Sequence, residues 1–173
     1  PMRKLQFKTV IKEQMADTVT PVGLYLRFRD RFANTVLLEG SDYHSKEDSY
    51  TFIGVDPLVH IKAEKDSLSL TYKDEVLSNA PLQRNFHEVF QYYSDLIQTD
   101  SPDKYKAFNG LYGYTTYDAV QYFENIKLHA KQADSAIPFL HYSFFRYIIA
   151  INHFNDEMTI IENVPEGDIS NID

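Results

Sequence analysis

The chain has 173 residues, 43% hydrophobic and 24% charged, which is long enough to bury a substantial core within one domain. Its 17 Lys and Arg against 25 Asp and Glu give a net charge of −8, which argues against nucleic acid or an anionic membrane as a partner. Cysteine is absent, which excludes disulfides, thiolate chemistry and sulfur-rich metal sites. No apolar run approaches the ~20 residues of a membrane-spanning helix, and the N-terminus has no signal core, so we expect a cytoplasmic protein.

The first part of the chain predicts a strand followed by a helix. Residues 5–11 (LQFKTVI) are predicted to be the opening strand, because their apolar side chains alternate loosely with the lysines at 4, 8 and 12. Thr20 and Pro21 suit the N-cap and the first position of a helix, which we expect to continue to about Phe32. Its apolar stripe repeats every four residues: Leu24, Phe28 and Phe32.

Two apolar arms, VLLEG (36–40) and YTFIGVDP (50–57), are predicted to be strands on either side of a polar loop. A loop held between two strands leaves its side chains little freedom, which suits a small-molecule site. Glu39 closes the first arm, and burying a carboxylate there is costly unless a cation or several donors meet it. Exposure of Glu39 to solvent is therefore the plainer interpretation.

The middle of the chain predicts a β-meander and then a helix. Pro57 is expected to break the strand, after which residues 58–64 and 67–72 alternate as two strands with turns at 66–67 and 73–74. From Pro81 to Thr99 the apolar side chains recur at three- and four-residue intervals, which predicts an amphipathic helix.

The last part of the chain completes a predicted α+β fold. It consists of a mainly antiparallel sheet, or two packed sheets, with a few helices packed on them. Residues 110–117 (GLYGYTTY) predict a strand, with Asp118 capping a helix over 119–126 and a mobile connection over 129–138. Residues 140–154 and 158–164 predict two long strands joined by a turn, and residues 165–173 are expected to lack structure.

No catalytic constellation is visible in the residues themselves. A nucleophile elbow, a P-loop and a dinucleotide fingerprint are all missing, and no histidine pair has metal-binding spacing. His60 and His153 are predicted to be ordinary strand residues, and His44 an exposed loop residue. Arg146 either pairs inside the sheet or lies at its rim.

Three motifs in order, LLEG, SYTFIGVDP and GLYGYTTYDAVQYFE, resemble the N-terminal region of anthranilate synthase component I. The resemblance covers about Thr20 to Pro165. It implies that residues 1–173 are a single N-terminal regulatory domain of a longer chain, without the C-terminal chorismate-binding catalytic portion, and are inactive alone. The family is a lyase of tryptophan biosynthesis that converts chorismate to anthranilate, using ammonia from a glutamine amidotransferase subunit. Its Mg²⁺ is bound by the portion absent here, and no cofactor is implied for this region.

The family's N-terminal region contributes to an allosteric feedback-inhibition site for tryptophan. Gly40 stands where the family usually has serine, and Ser41 follows, but a shift of one residue on a strand moves a side chain to the opposite face. This departure argues against tight tryptophan binding. The resemblance also implies that the remaining effector contacts come from the C-terminal portion, so we expect half a site here, with weak tryptophan affinity. The resemblance implies these effector-binding positions: Leu38, Glu39, Gly40, Ser41, Ser49 and Tyr50.

Two alternatives remain open. Aminodeoxychorismate synthase component I has a similar N-terminal region, although an LLHS-like motif in place of LLEG would indicate it more directly. The chain could instead be a stand-alone small-molecule binding module or interaction domain without catalysis. Tyr117 and Asp118 could be catalytic, but a packed ring for Tyr117 and a helix cap for Asp118 explain the pair equally well.

Overall fold

A computed structural model describes residues 1–40, 49–116 and 137–173, and these form the predicted α+β fold with mainly antiparallel strands. Within these residues the helices are α1 (Pro21–Arg29) and α2 (Phe86–Leu96), with a short 3₁₀ turn at Asp103–Tyr105. The strands are β1 (Leu5–Met15), β2 (Val36–Gly40), β3 (Tyr50–Glu64), β4 (Ser67–Tyr72), β5 (Glu75–Pro81), β6 (Ile97–Thr99), β7 (Leu111–Thr115), β8 (Leu140–Asn152) and β9 (Glu157–Pro165). Neither helix is long and apolar enough to cross a membrane.

Several predictions fall on residues outside the described ranges. These are the loop positions Ser41 and His44, the Tyr117 and Asp118 pair, the helix over 119–126, and the connection up to residue 136.

The described chain divides into two compact units. The first unit comprises residues 1–4, 58–97 and 111–144, and the second comprises residues 5–57, 98–110 and 145–173. Strands β3 and β8 contribute residues to both units. The prediction of a single domain stays a prediction.

In the first unit the strand order is β5-β4-β3-β8, and β7 also pairs with β8. The β3–β4, β4–β5 and β7–β8 pairs are antiparallel. Helix α2 packs on β4, and the hydroxyl of the buried Tyr93 donates a 3.4 Å hydrogen bond to the Leu68 carbonyl of that strand. The Tyr93 hydroxyl lies 2.8 Å from the Ser78 hydroxyl, so the polar tip of this buried ring has a partner.

In the second unit β9 lies between β8 and β1, β6 lies beside β1, and β2 pairs with β3. The predicted cap of α1 is confirmed, since the Thr20 hydroxyl accepts a 3.1 Å hydrogen bond from the Gly23 N–H. The predicted stripe of α1 packs on a cluster of buried side chains: Ala16, Ile53, Val55, Ile149, Ile151 and Met158.

The prediction that Pro57 breaks the strand is wrong, because β3 continues through it to Glu64. Residues 50–54 pair with β2 and residues 59–64 pair with β4, so Pro57 lies between the two pairings. Its missing N–H therefore costs neither ladder a hydrogen bond. Asp56, with φ of 59°, absorbs the local distortion.

Element ends also differ from the predictions. Helix α1 ends at Arg29 rather than at about Phe32, and α2 covers only 86–96 of the predicted 81–99. Strand β5 ends at Pro81, where the predicted helix begins, and β6 takes the last three residues of that helix, and neither strand was predicted. His60 lies in β3 as predicted, whereas His153 lies in the turn after β8.

The last residues have no helix or strand, but they are not without structure as predicted. The backbone N–H of Asn171 and the hydroxyl of Ser170 both donate to the buried carboxylate of Glu162. Arg146 pairs with the same carboxylate, and its side chain is only 12% exposed, so this residue is paired inside the unit.

Candidate functional site

The antiparallel register of β2 and β3 places the predicted site residues on two different faces. Leu38 lies opposite Phe52, and Gly40 lies opposite Tyr50. Glu39 lies opposite Thr51. Because successive side chains of a strand point to opposite faces, Leu38 and Tyr50 share one face, and Glu39 belongs to the other.

The face that carries Glu39 is continuous with the core of the second unit. Leu37 packs with Ile53 in the core cluster, and Thr51 is 1% exposed with its hydroxyl 2.6 Å from His153 Nε2. Glu39 itself is exposed at the end of the strand, which confirms the plainer interpretation of its position. Its carboxylate is therefore available to a cationic group approaching from solvent.

The opposite face carries a cluster of aromatic rings. The rings of Tyr50 and Phe52 stack with centroids 5.8 Å apart. The ring of Phe108 packs against both, at 4.9 Å from Tyr50 and 5.6 Å from Phe52. With Leu38 directly across from Phe52, this face offers an apolar and aromatic surface of the kind on which a flat ring can lie.

The position of Phe108 is determined by its neighbour Asn109. The side-chain amides of Asn109 and Asn163 donate to each other at 2.8 Å in both directions. Asn163 is fully buried and also donates to the Phe145 carbonyl at 2.9 Å. This paired amide holds the turn over 105–109 in place, and with it the ring that completes the aromatic face.

The start of β3 is anchored by the end of β8. The Ser49 carbonyl accepts a 2.9 Å hydrogen bond from the His153 N–H, and the Tyr50 hydroxyl accepts one of 3.1 Å from the Asn152 side chain. Both Ser49 and Tyr50 are half-buried. Tyr50 thus presents its ring in a restrained orientation, which lowers the entropy lost when a ligand binds.

The structure therefore brings together Leu38, Gly40 and Tyr50, separates Glu39 from them, and leaves Ser41 outside the described residues. Phe52 could have been found from the sequence, because it stands two residues after Tyr50 on the same face. Three contributing residues carry no sequence signal, since each is more than fifty positions away: Phe108, Asn152 and His153.

No family model matches the chain. It is 28% identical to anthranilate synthase component 1 of Lactococcus lactis over 154 residues, which is 88% of this chain and 32% of that protein. With anthranilate synthase component 1 of Bacillus caldotenax it shares 24% identity over 162 residues, 92% of this chain and 31% of that protein.

The chain resembles the N-terminal region of anthranilate synthase component 1. It spans about a third of the length of these curated relatives (32% and 31%). It is also 26% identical to aminodeoxychorismate synthase component 1 of Bacillus subtilis over 136 residues, 77% of this chain and 27% of that protein. The matches to anthranilate synthase component 1 extend well beyond the three motifs, because they include up to 92% of the chain.

Among residues 1–40, 49–116 and 137–173, no group of three or more His, Cys, Asp or Glu side chains is placed to hold a metal ion. Mg²⁺ prefers oxygen ligands, usually carboxylates together with water and substrate oxygens. No step is therefore assigned to Mg²⁺ on these residues.

A second feature is a cavity of about 340 Å³ in the first unit, between α2 and the paired strands β7 and β8. Its walls are mainly apolar, with Phe86 and Phe90 from the helix and Leu111 and Leu140 from the strands. The polar atoms at the cavity come from three further side chains: His87, Thr115 and Tyr142. An apolar cavity with a few polar groups has the composition of a small-molecule site.

Proposed function

We propose that this chain is the N-terminal, regulatory part of an anthranilate synthase component 1. The complete enzyme would convert chorismate to anthranilate with ammonia from a glutamine amidotransferase subunit, for tryptophan biosynthesis. Similarity to two such proteins over 88% and 92% of this chain supports the assignment. Catalysis and Mg²⁺ binding would belong to the part of the enzyme outside the matched third.

The proposed role of this region is to bind tryptophan as a feedback inhibitor. The observation that carries it is the aromatic face of β2 and β3, where Leu38, Tyr50, Phe52 and Phe108 form a surface suited to an indole ring. Offset and edge contacts between aromatic rings contribute about 0.5–1.5 kcal/mol each beyond the area they bury. Such contacts favour an aromatic amino acid over an aliphatic one.

Glu39 would bind the ammonium group of the effector. Its side chain belongs to the other face, so a single ligand reaches both Leu38 and Glu39 only around the end of the strand pair, near Gly40 and Tyr50. Gly40 supplies no hydroxyl there. We therefore expect this region to form half of the effector site, with the remaining contacts supplied by the rest of the enzyme.

In the complete enzyme this arrangement makes inhibition allosteric. Tryptophan would favour one arrangement of the regulatory and catalytic portions, and by reciprocity chorismate would weaken tryptophan binding. Glu39→Ala in such an enzyme should relieve inhibition and spare the uninhibited turnover. An equal loss of turnover in that variant would indicate a structural role for Glu39 instead.

Tryptophan titration of this chain tests the half-site directly. The chain contains no tryptophan, so indole fluorescence reports only the ligand. We expect a dissociation constant on the order of a millimolar or weaker, which corresponds to about −4 kcal/mol. Phe52→Leu should weaken binding further, and the matched control Phe154→Leu, on an exposed side chain, should not. A micromolar constant for this chain alone would contradict the half-site.

Catalysis is tested by incubating the chain with chorismate, Mg²⁺ and ammonia. We expect no anthranilate, because the proposal assigns catalysis to the part of the enzyme outside the matched third. Formation of anthranilate above the buffer control would contradict the proposal that this region is regulatory and that catalysis lies in the rest of the enzyme. Formation of the 4-amino isomer, when the chain is joined to a catalytic portion, would favour aminodeoxychorismate synthase, to which the Bacillus subtilis relative belongs.

A small-molecule binding module without catalysis is the second candidate, and the cavity in the first unit favours it. Leu111→Phe would fill much of this cavity and leave the aromatic face of β2 and β3 untouched. If Leu111→Phe abolishes the binding of tryptophan and Phe52→Leu does not, the cavity is the binding site. The opposite result supports the effector site.

A further inference from the structure

A compact cluster of nitrogen and oxygen atoms lies between β3 and β8 in the first unit. His60 Nδ1 on β3 is 2.9 Å from His141 Nε2 on β8 and 2.7 Å from the hydroxyl oxygen of Ser143, two residues further along β8. The Ser143 hydroxyl is in turn 3.4 Å from His141 Nε2. Three potential ligand atoms thus converge at the corners of a small triangle.

Hydrogen bonds cannot satisfy all the close contacts of His60 Nδ1 at the same time. A ring nitrogen of neutral histidine has either one lone pair or one hydrogen in the plane of the ring. His60 Nδ1 can therefore make one well-aligned hydrogen bond at a time, yet two polar atoms lie within 2.9 Å of it. A metal ion at the centre would be held by all three atoms at once.

The separation of the two ring nitrogens selects the kind of ion. With a metal–imidazole bond of ~2.05 Å, a nitrogen–nitrogen distance of 2.9 Å gives an N–metal–N angle of about 90°. A tetrahedral ion would need the nitrogens about 3.3 Å apart with the same bond length. At the same bond length the Ser143 hydroxyl oxygen makes an angle of about 80° with His60 Nδ1 and about 110° with His141 Nε2, so the two nitrogens alone define the right angle. Two nitrogen ligands at a right angle are typical of square-planar or tetragonal Cu²⁺ and Ni²⁺.

We propose that His60, His141 and Ser143 form a binding site for a tetragonal divalent transition-metal ion, with Cu²⁺ the best fit and water completing the coordination. The site lies in the first unit and is independent of the proposed tryptophan site.

Burial and nearby positive charge shift the pKa values of the two histidines in the same direction. Burial lowers the pKa of His60, and the positive charge of Lys62 lowers it further, against a smaller opposing effect of Asp74. Burial, His60 and Lys62 together lower the pKa of His141 to about 4. A lowered pKa favours the neutral imidazole, which is the form that binds metal. The hydrogen shared in the 2.9 Å contact moves to the other nitrogen of its own ring when the ion binds, so that both nitrogens present a lone pair to it. Lys62 opposes a cation electrostatically and limits the affinity.

The surroundings of His141 restrain the ring and leave the site reachable. The ring of Tyr114 on β7 meets His141 edge-on at 6.1 Å, and Tyr114 is 40% exposed. Strand β7 can approach this closely because Gly113 has no side chain, and a Cβ there would collide with the His141 carbonyl. Both histidines are half-buried, so an ion can enter from solvent.

Titration of the chain with Cu²⁺ at pH 7, followed by isothermal calorimetry and by electron paramagnetic resonance, tests the site. We expect one equivalent to bind more tightly than the rest, with a tetragonal signal. His60→Gln and His141→Gln should each weaken this binding about tenfold or more, because each removes one of two imidazole ligands. His87→Gln, which alters an exposed histidine of α2, is the matched control and should leave binding unchanged.

Pulsed electron paramagnetic resonance of the wild-type chain with one equivalent of Cu²⁺ gives an answer that does not depend on the folding of the variants. Coupling to two imidazole rings is expected. Coupling to one ring or to none overturns the proposal, as does binding that is unaffected by both His60→Gln and His141→Gln in variants whose circular dichroism matches the wild type. Ser143→Ala should reduce affinity less than either histidine change, because a hydroxyl is the weakest of the three ligands.

Discussion

Two strand glutamates, Glu39 and Glu162, show how differently one residue type can be used in the second unit. Glu39 ends β2 and is exposed. Glu162 lies within β9, and its side chain has no exposed surface. A buried carboxylate is costly to desolvate unless a cation and several donors replace the lost water.

The donors that meet Glu162 come from two distant parts of the sequence. The guanidinium of Arg146 on β8 lies 3.1 Å from Oε2, and the Ser170 hydroxyl donates to Oε1 at 2.7 Å. The backbone N–H of Asn171 donates to Oε1 at 2.8 Å. Burial by itself would raise the pKa of Glu162, but the hydrogen bonds from Ser170, Asn171 and Arg146 outweigh it and hold the pKa below its ordinary value.

The same network orders the end of the described chain. Arg146 also pairs with Asp168 at 3.1 Å and donates to the Ile169 carbonyl at 2.9 Å. A segment without helix or strand is thereby attached to β8 and β9. The comparison teaches that a glutamate in a strand is structural when donors converge on it, and is available to a ligand when they do not.

Replacing Glu162 should cause the largest loss of stability. Glu162→Ala leaves Arg146 and the Asn171 N–H without their partner, so we expect a loss of about 3–5 kcal/mol in the free energy of unfolding. Urea denaturation measures it. Glu157→Ala, at an exposed position of the same strand, is the matched control and should change stability by less than about 0.5 kcal/mol. Similar values for the two variants would refute a structural role for Glu162.

The pH dependence of stability should report the buried Glu162 carboxylate. The pKa of Glu162 is lower in the folded than in the unfolded chain, so its contribution is fully present above the unfolded pKa of about 4.3. That contribution is lost as the pH falls through the folded pKa. We therefore expect the wild type to lose stability more steeply than Glu162→Gln below about pH 4.3 in urea titrations. Parallel curves would show that Glu162 does not titrate as proposed.

A smaller effect is expected from one of the donors. Ser170→Ala removes the hydrogen bond to the Glu162 carboxylate, which corresponds to about 1.5 kcal/mol. It also removes the oxygen that accepts hydrogen bonds from the N–H groups of Ile172 and Asp173 near the end of the chain. Ser67→Ala is a suitable comparison, because its hydroxyl donates only a long 3.4 Å bond to the Glu64 carbonyl and the residue is half-buried. If Ser170→Ala is as harmless as Ser67→Ala in urea denaturation, the backbone donors hold the carboxylate without help from the hydroxyl.

The smallest effect on stability should come from Glu39→Gln, because an exposed carboxylate loses little when neutralised. We expect a change within about 0.5 kcal/mol, measured in the same urea experiment. Tryptophan binding by this variant should nevertheless weaken, because the ammonium group loses its charged partner. A marked loss of stability would instead show that Glu39 stabilises the fold, as Glu162 does.

Part of this picture is visible in the sequence. The Thr20 cap, the strand character of VLLEG and YTFIG, and the exposure of Glu39 all follow from local patterns, and the structure confirms them. The continuation of β3 through Pro57 does not, because it depends on where two different partner strands begin and end. The same holds for β6, a strand of three residues that follows directly after an amphipathic helix. It is a strand because β1 lies beside it.

The residues of the candidate site also fall into those that the sequence predicts and those that it does not. Leu38 and Tyr50 follow from motif and alternation, since period-two patterning places neighbouring pairs on one face. Phe108 reaches that face through the Asn109–Asn163 amide pair, and the His60–His141–Ser143 cluster forms across two strands about eighty residues apart. Neither leaves a pattern within any one stretch of sequence.

The sequence by itself determined where most strands and the α1 cap lie and which residues of β2 and β3 alternate, because these depend on interactions among neighbours along the chain. Only the tertiary structure decided that Glu162 is a buried anchor and Glu39 a free carboxylate at a strand end. The reason is electrostatic: the cost of burying a charge depends on the donors that surround it, and those donors are brought together by the fold.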